Sequence, residues 1–251
     1  SSRYNLIDNW TLQVLVWVMA IVALLGNMVV AWNTVIELVK TWNSVLVLNL
    51  ATSDLIMGIY LLWLGVMSFL YEGKTSINPY WSIDREWRTG ATCNVLGTLL
   101  VVSSQTSVFI LVALTSLRLY TVLKPFASYH LKFRYLFAIC CLTWLFATFI
   151  AVAPIMPGDW QFFGYYSEDS VCMPKLYVTR KDRFWGHAAS ILILNFISVI
   201  YIAVSYFVIY YKSKQGHNVP RNQNIFMQRR IALLVATDCA CWIPICIMGF
   251  I

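Results

Sequence analysis

Charge is what this chain has least of. Asp, Glu, Lys and Arg make up 12% of its 251 residues, against roughly 25% in soluble domains. The length suits one or two soluble domains, but so few charges leave too little polar surface to face water. Other features are missing too. No signal-peptide pattern opens the chain, because the first apolar run is longer than an h-region of about 7–15 residues. The seven cysteines are not spaced as metal ligands. No internal repeat appears, which argues against an inverted-repeat transporter. The opening SSRYNLIDNW reads as a cut from something longer.

What is present is a series of apolar runs. Between Arg3 and Glu37 the only charge is Asp8, and between Lys40 and Glu72 only Asp54. The runs Arg88 to Arg118, Arg134 to Asp159 and Arg183 to Lys212 hold no charge inside them, and Arg230 to Ile251 holds only Asp238. Each reaches the roughly 20 residues a helix needs to cross the hydrocarbon core. One such run could be a buried core helix, but six in series leave no soluble surface. The expectation is an all-α membrane protein with helices over about 10–37, 42–70, 90–122, 135–157, 184–212 and 228–251.

With six spans the loops alternate sides. If the N-terminus is outside, the inner segments carry ten Lys and Arg against eight outside, a weak positive-inside bias. Glu37 is the one inner acid and the outer segments hold eight, so the inner face is about +9. That face suits anionic lipid and a cytoplasmic partner. Nucleic acid is not expected, because the positive charge lies on short loops between spans. Cys140, Cys141, Cys239, Cys241 and Cys246 lie inside apolar runs, as small buried hydrophobes do. Cys93 and Cys172 fall at or beyond run ends and are the only plausible pair, on the outer side where disulfides persist. The sequon Asn9-Trp10-Thr11 is outside as well, but too close to the first span to favour glycosylation.

Depth along each helix brings out a polar layer. Asn27 lies ten residues from Glu37, Asp54 eleven from Asn43, Ser107 eleven from Arg118 and Asp238 eight from Arg230. At 1.5 Å per residue, all four sit roughly 12–17 Å from the inner boundary. An Asp facing lipid costs about 2.5–3.5 kcal/mol or more, so both aspartates must face the bundle interior. There they pair with each other, with water or with an ion, a sodium ion at Asp54 being the candidate. A structural hydrogen-bond network would also account for the layer, and for Asn27 it suffices. Three uses compete: an ion path through a transporter, an intramembrane aspartyl protease using Asp54 and Asp238, or a receptor core that repacks between states. The contexts TSD and ATD lack the Tyr-Asp and Gly-x-Gly-Asp patterns of such proteases.

Several motifs now fall into order. Gly26-Asn27, the run from Asn49 to Asp54, Cys93 with Arg118 25 residues later, Trp144, and Cys241-Trp242-Ile243-Pro244 together resemble the rhodopsin-like G-protein-coupled receptors. Within that group, MGIYLL at 57–62, EWRTGATC ending at Cys93, SVCMP around Cys172, ILILN at 191–195 and ATDCACWIP look like the leucine-rich-repeat hormone receptors. The Trp242 form leans toward the relaxin-type branch. The resemblance implies a seven-helix bundle in the plasma membrane, of which six helices are in this chain, with no catalytic site and no cofactor. It implies a Cys93–Cys172 bridge with Trp87 packed against it. It implies an outside protein or peptide ligand, bound through an ectodomain not in this chain, and a heterotrimeric G protein inside. Arg118, Tyr206 and Lys124 would face that G protein. Asp238, Trp242 and Pro244 would form the latch and hinge of the sixth helix, where a proline removes a backbone donor and permits a bend.

The departures are specific. The acid expected before the arginine is Leu117, and the acid that relatives carry at position 224 is Asn224. Leu100 stands where amine receptors carry an aspartate, which argues against an amine ligand. The Asn/Asp-Pro-x-x-Tyr motif of a seventh helix does not appear, and the stop at Ile251 reads as the end of the sixth helix in a truncated chain. His187, alone in the outer part of its span, reads as a satisfied polar residue.

Overall fold

The structure is a computed structural model. It describes residues 7, 9–36, 42–72, 85–88, 90–124, 133–156, 165–166, 171–176 and 184–215. Five long helices fill most of this: α1 (Trp10–Ile36), α2 (Trp42–Glu72), α3 (Ala91–Leu123), α4 (Phe133–Val152) and α5 (Trp185–Gln215). All five contain stretches long and apolar enough to cross a membrane, and no strand occurs among the described residues. In lipid the backbone has no water to bond, so a helix, which satisfies itself, is the form such runs must take.

Local chemistry sets the helix ends. Asn9 caps α1: its Oδ1 accepts the Thr11 N–H at 2.9 Å, and its carbonyl takes the Gln13 N–H at 3.0 Å. A side-chain acceptor here satisfies one of the orphan donors of a helix start. The sequence carries the fourth helix to 157, but α4 stops at Val152. Pro154 has no N–H, and Ala153–Ile155 tightens into a 3-10 turn because the α-helical ladder cannot continue through it. The remaining described ends lie within three residues of the expected ones, much as fraying ends do. The segment 228–251 lies outside the described residues.

Several polar side chains within the spans turn back to their own helix. Asn27 Nδ2 donates to Ala23 O at 2.9 Å, Thr34 Oγ1 to Val30 O at 2.7 Å, and Asn195 Nδ2 to Ile191 O at 2.8 Å. These bonds to the preceding turn supply the acceptor that lipid does not.

The chain divides into two compact units, residues 1–107 with 141–175 and residues 108–140 with 176–251. In the first, α1 and α2 run antiparallel along a seam with a clear register. Gln13 Nε2 donates to Ser68 Oγ at 3.2 Å, Gly65 lies against the Trp17 indole, and Gly58 lies against Leu24. Any Cβ at Gly58 would meet Leu24 at 2.9 Å, so the glycine is what permits the close approach. In the second unit, α5 buries Ala188, Leu192, Asn195, Ser198, Ile202, Ser205 and Ile209. Their spacing of three and four residues is one stripe of a helix.

Candidate functional site

Three groups of functional side chains stand out, two in the first unit and one in the second. The first joins α2 to α3 and α4. Ser107 Oγ donates to Asp54 Oδ1 at 3.4 Å. That is long for a hydroxyl donor, so the carboxylate keeps capacity for another partner. One turn away, Ser103 Oγ donates to Ser53 O at 2.9 Å, and Ser53 Oγ to Leu50 O at 2.7 Å. Trp144 Nε1 donates to Asn49 Oδ1 at 3.0 Å, and the Asn49 amide donates to Val45 O at 2.8 Å. Asn27 makes its hydrogen bond to Ala23 and none to Asp54. Ser53 and Ser103 were not singled out from the sequence, although Ser103 lies one helical turn before Ser107 and so on the same face.

The second group is a cross-linked outer cluster. Cys93 and Cys172 are disulfide-bonded with Cα atoms 5.2 Å apart. Trp87 is buried with them, beside Ile7, Tyr60, Leu64 and Leu96. Leu100 packs on the same cluster. The segment around Cys172 is tied down on several sides. Tyr60 Oη donates to Val171 O at 2.7 Å. Tyr166 Oη donates to Ala151 O at 2.8 Å, one of the late carbonyls that a helix end leaves without a partner. The bridged Cys93 sulfur, which carries no hydrogen, lies 3.3 Å from Tyr166 O. The Lys175 N–H closes the segment on Tyr165 O at 3.1 Å.

Glycine at 97 makes room for the loop. A Cβ there would run into the Tyr166 ring and the Cys172 carbonyl. Tyr165 and Tyr166 are fully buried, edge to face with centroids 4.9 Å apart, a favoured aromatic geometry. Burial pushes both phenols above their ordinary pKa, and for Tyr165 the neighbouring Tyr166 adds to it. Cys172 adopts a left-handed backbone, φ 56°, which a non-glycine residue holds only when its surroundings fix it. Sequence reasoning missed Ile7, Tyr60, Gly97, Tyr165 and Tyr166. The signal available was the aromatic density of the loop, with Trp160, Phe162 and Phe163 just before the Tyr165-Tyr166 pair.

The third group lies in the second unit. Arg118 is half-buried near the end of α3, beside Tyr206 of α5. Tyr206 also neighbours Thr115. Leu117 offers no charge, and among the described residues no carboxylate pairs with Arg118. Its Nε is buried with no hydrogen-bond partner. Lys124 is exposed just past α3. Ser116 Oγ donates to Val112 O at 2.7 Å and lies 2.7 Å from Tyr201 Oη. His187 is half-buried in the first turn of α5. Asp238, Trp242 and Pro244 lie outside the described residues.

With this geometry in hand, comparison with known proteins is informative. The family described as "7 transmembrane receptor (rhodopsin family)" matches residues 26–251. The "G-protein coupled receptor GRL101" of Lymnaea stagnalis is 33% identical over 259 residues, covering 100% of this chain and 22% of the relative. The follicle-stimulating hormone receptor of Cairina moschata is 30% identical, covering 93% of this chain and 32% of the relative. Human relaxin receptor 2 is 26% identical, covering 98% of this chain and 33% of the relative. The chain thus spans about a fifth to a third of the length of these relatives.

Proposed function

The chain belongs to the rhodopsin family of seven-transmembrane receptors, and from that premise we propose that it passes an extracellular hormone signal to a cytoplasmic heterotrimeric G protein. It is a multi-pass protein of the plasma membrane. The ligand class comes from two of the relatives, whose names are those of receptors for follicle-stimulating hormone and relaxin. A protein or peptide hormone bound through a larger ectodomain is the reading they support. Nothing in the structure or among the relatives favours the protease or transporter alternatives.

The observation that carries the proposal is the state of Arg118. An arginine half-buried with no carboxylate among the described residues, at the end of a span where Lys124 is exposed, is a cation held ready for a partner's backbone carbonyl or carboxylate. At the other end of the signal path, the Cys93–Cys172 cluster gives a hormone-bearing domain a rigid platform. In the first unit, Asp54 and Ser107 supply oxygen donors of the kind a hard cation takes. Those two residues would hold a sodium ion, which would contribute charge compensation for the carboxylate. Asp238, Trp242 and Pro244 are proposed as the latch and hinge of the sixth helix.

The test is ligand-independent signalling of the full-length receptor. Leu117→Asp places an acid beside Arg118 and should lower basal second-messenger output at equal surface level. An unchanged or higher output would show that the unpaired arginine does not set the basal state.

A further inference from the structure

The α3–α5 contact near Arg118 contains a bond whose direction is fixed by counting hydrogens. Ser116 has one hydroxyl hydrogen, and it goes to Val112 O at 2.7 Å. Its contact with Tyr201 Oη, also 2.7 Å, therefore has Tyr201 as donor and Ser116 as acceptor. The result is a relay from Tyr201 through Ser116 to the backbone of α3. Tyr201 is 37% exposed and lies within a membrane-spanning stretch. Inside a span a hydroxyl has few partners other than protein groups, so the Tyr201 hydroxyl gains most from the bond.

Tyr206 of α5 also lies near Thr115 and Arg118 of α3, although its buried hydroxyl makes no hydrogen bond among the described residues. Ser116 precedes Arg118 by two residues, about 200° around the helix at 3.6 residues per turn. Tyr201 precedes Tyr206 by five, about 140° around. The place of Tyr206 near Arg118 and Thr115 and the Tyr201–Ser116 bond thus lie along different lines of the α3–α5 interface. One contact sets a separation and leaves rotation free. Two on different lines also fix the rotation of α5 about its own axis. Tyr206 is a neutral neighbour that leaves the charge of Arg118 uncompensated, and the guanidinium Nε has no hydrogen-bond partner among the described residues.

We propose that the Tyr201–Ser116 clasp is a positioning device: it holds α5 in the rotation that keeps Tyr206 against Arg118, and so preorganises the arginine for its cytoplasmic partner. The inference rests on the receptor reading given above. Preorganisation lowers the cost of engaging a partner, so losing the clasp lowers signalling. One hydrogen bond between membrane helices corresponds to about a three- to ten-fold change in a two-state equilibrium.

The experiment uses the full-length receptor with Tyr201→Phe, Ser116→Ala, both together, and Ser116→Thr. Basal second-messenger output is measured at matched surface expression, and thermal unfolding is followed in detergent. Tyr201→Phe and Ser116→Ala should each lower output about three- to ten-fold. The double variant should fall no further than either single, because the partners share one bond. Ser116→Thr keeps the hydroxyl, which can still bond the preceding turn, and should retain output near wild type. Wild-type output from either single variant, or additive losses in the double, would overturn the clasp. A wild type silent in every second-messenger assay would overturn the receptor reading instead. In that case the thermal cycle decides the clasp, and additive losses of the midpoint reject it.

Discussion

α1 and α3 are both long, uncharged over most of their length and apolar enough to span a membrane, yet they live in different surroundings. In α1 the one fully buried residue is Ala20, and Leu15, Val18, Val22 and Val29 are all at least half exposed. In α3 the buried set runs through the helix and includes Ser103, Gln105, Thr106 and Thr115. Apolarity therefore tells that a helix enters the membrane and nothing about what surrounds it there. The polar residues carry that information. A run such as Ser103-Ser104-Gln105-Thr106-Ser107 would be costly against lipid, so the helix that carries it must be surrounded by protein.

Four tests would challenge this contrast. The largest effect belongs to the bridge at the start of α3. Cys172→Ser removes a cross-link that typically stabilises by about 2–5 kcal/mol, and surface expression by flow cytometry should fall severely. Near-normal expression would mean that the tyrosine contacts alone hold the outer segment.

Next is a pair of glycines, one in each helix. Gly97→Ala drives a Cβ into the Tyr166 ring and should destabilise by about 1–3 kcal/mol, as overpacking does. Gly26→Ala meets nothing within 4 Å and should be neutral or slightly stabilising, since alanine favours a helix by about 1 kcal/mol. Equal thermal midpoints for the two would erase the distinction between a packed and an open helix.

A smaller effect is expected from Trp144→Phe, which deletes the donor to Asn49 while keeping an aromatic ring. A loss of about 0.6–1.7 kcal/mol in a thermal cycle with Asn49→Ala is the expected coupling for a bond between membrane helices. Zero coupling would reduce the contact to packing. The smallest effect is that of Val22→Ala on the exposed side of α1. It should stay within about 0.5 kcal/mol, and a larger loss would show that this side is covered by protein.

Several elements were legible before any coordinates. The charge gaps placed the five described spans, because lack of charge over roughly 20 residues is a property of a segment by itself. Depth counting set Asp54 and Ser107 in one layer, and the two are in contact. It set Asn27 there as well, but a helix presents each residue at an angle as well as a height, and the Asn27 amide turns to Ala23. The early stop of α4 could have been read from Pro154.

The sequence by itself determined that this protein enters the membrane repeatedly and which cysteines could pair, because run length and position along the chain are one-dimensional facts. Only the tertiary structure decided which hydroxyl meets which helix. Tyr60 reaches Val171 across 111 residues and Tyr201 reaches Ser116 across 85. Nothing local marks either tyrosine, since each sits in an apolar run with the spacing of any lipid-facing aromatic. Helix rotation and loop path select their partners, and both are settled by packing the whole chain at once. The same holds for Gly97, whose missing side chain has meaning only once the Tyr166 ring lies across it.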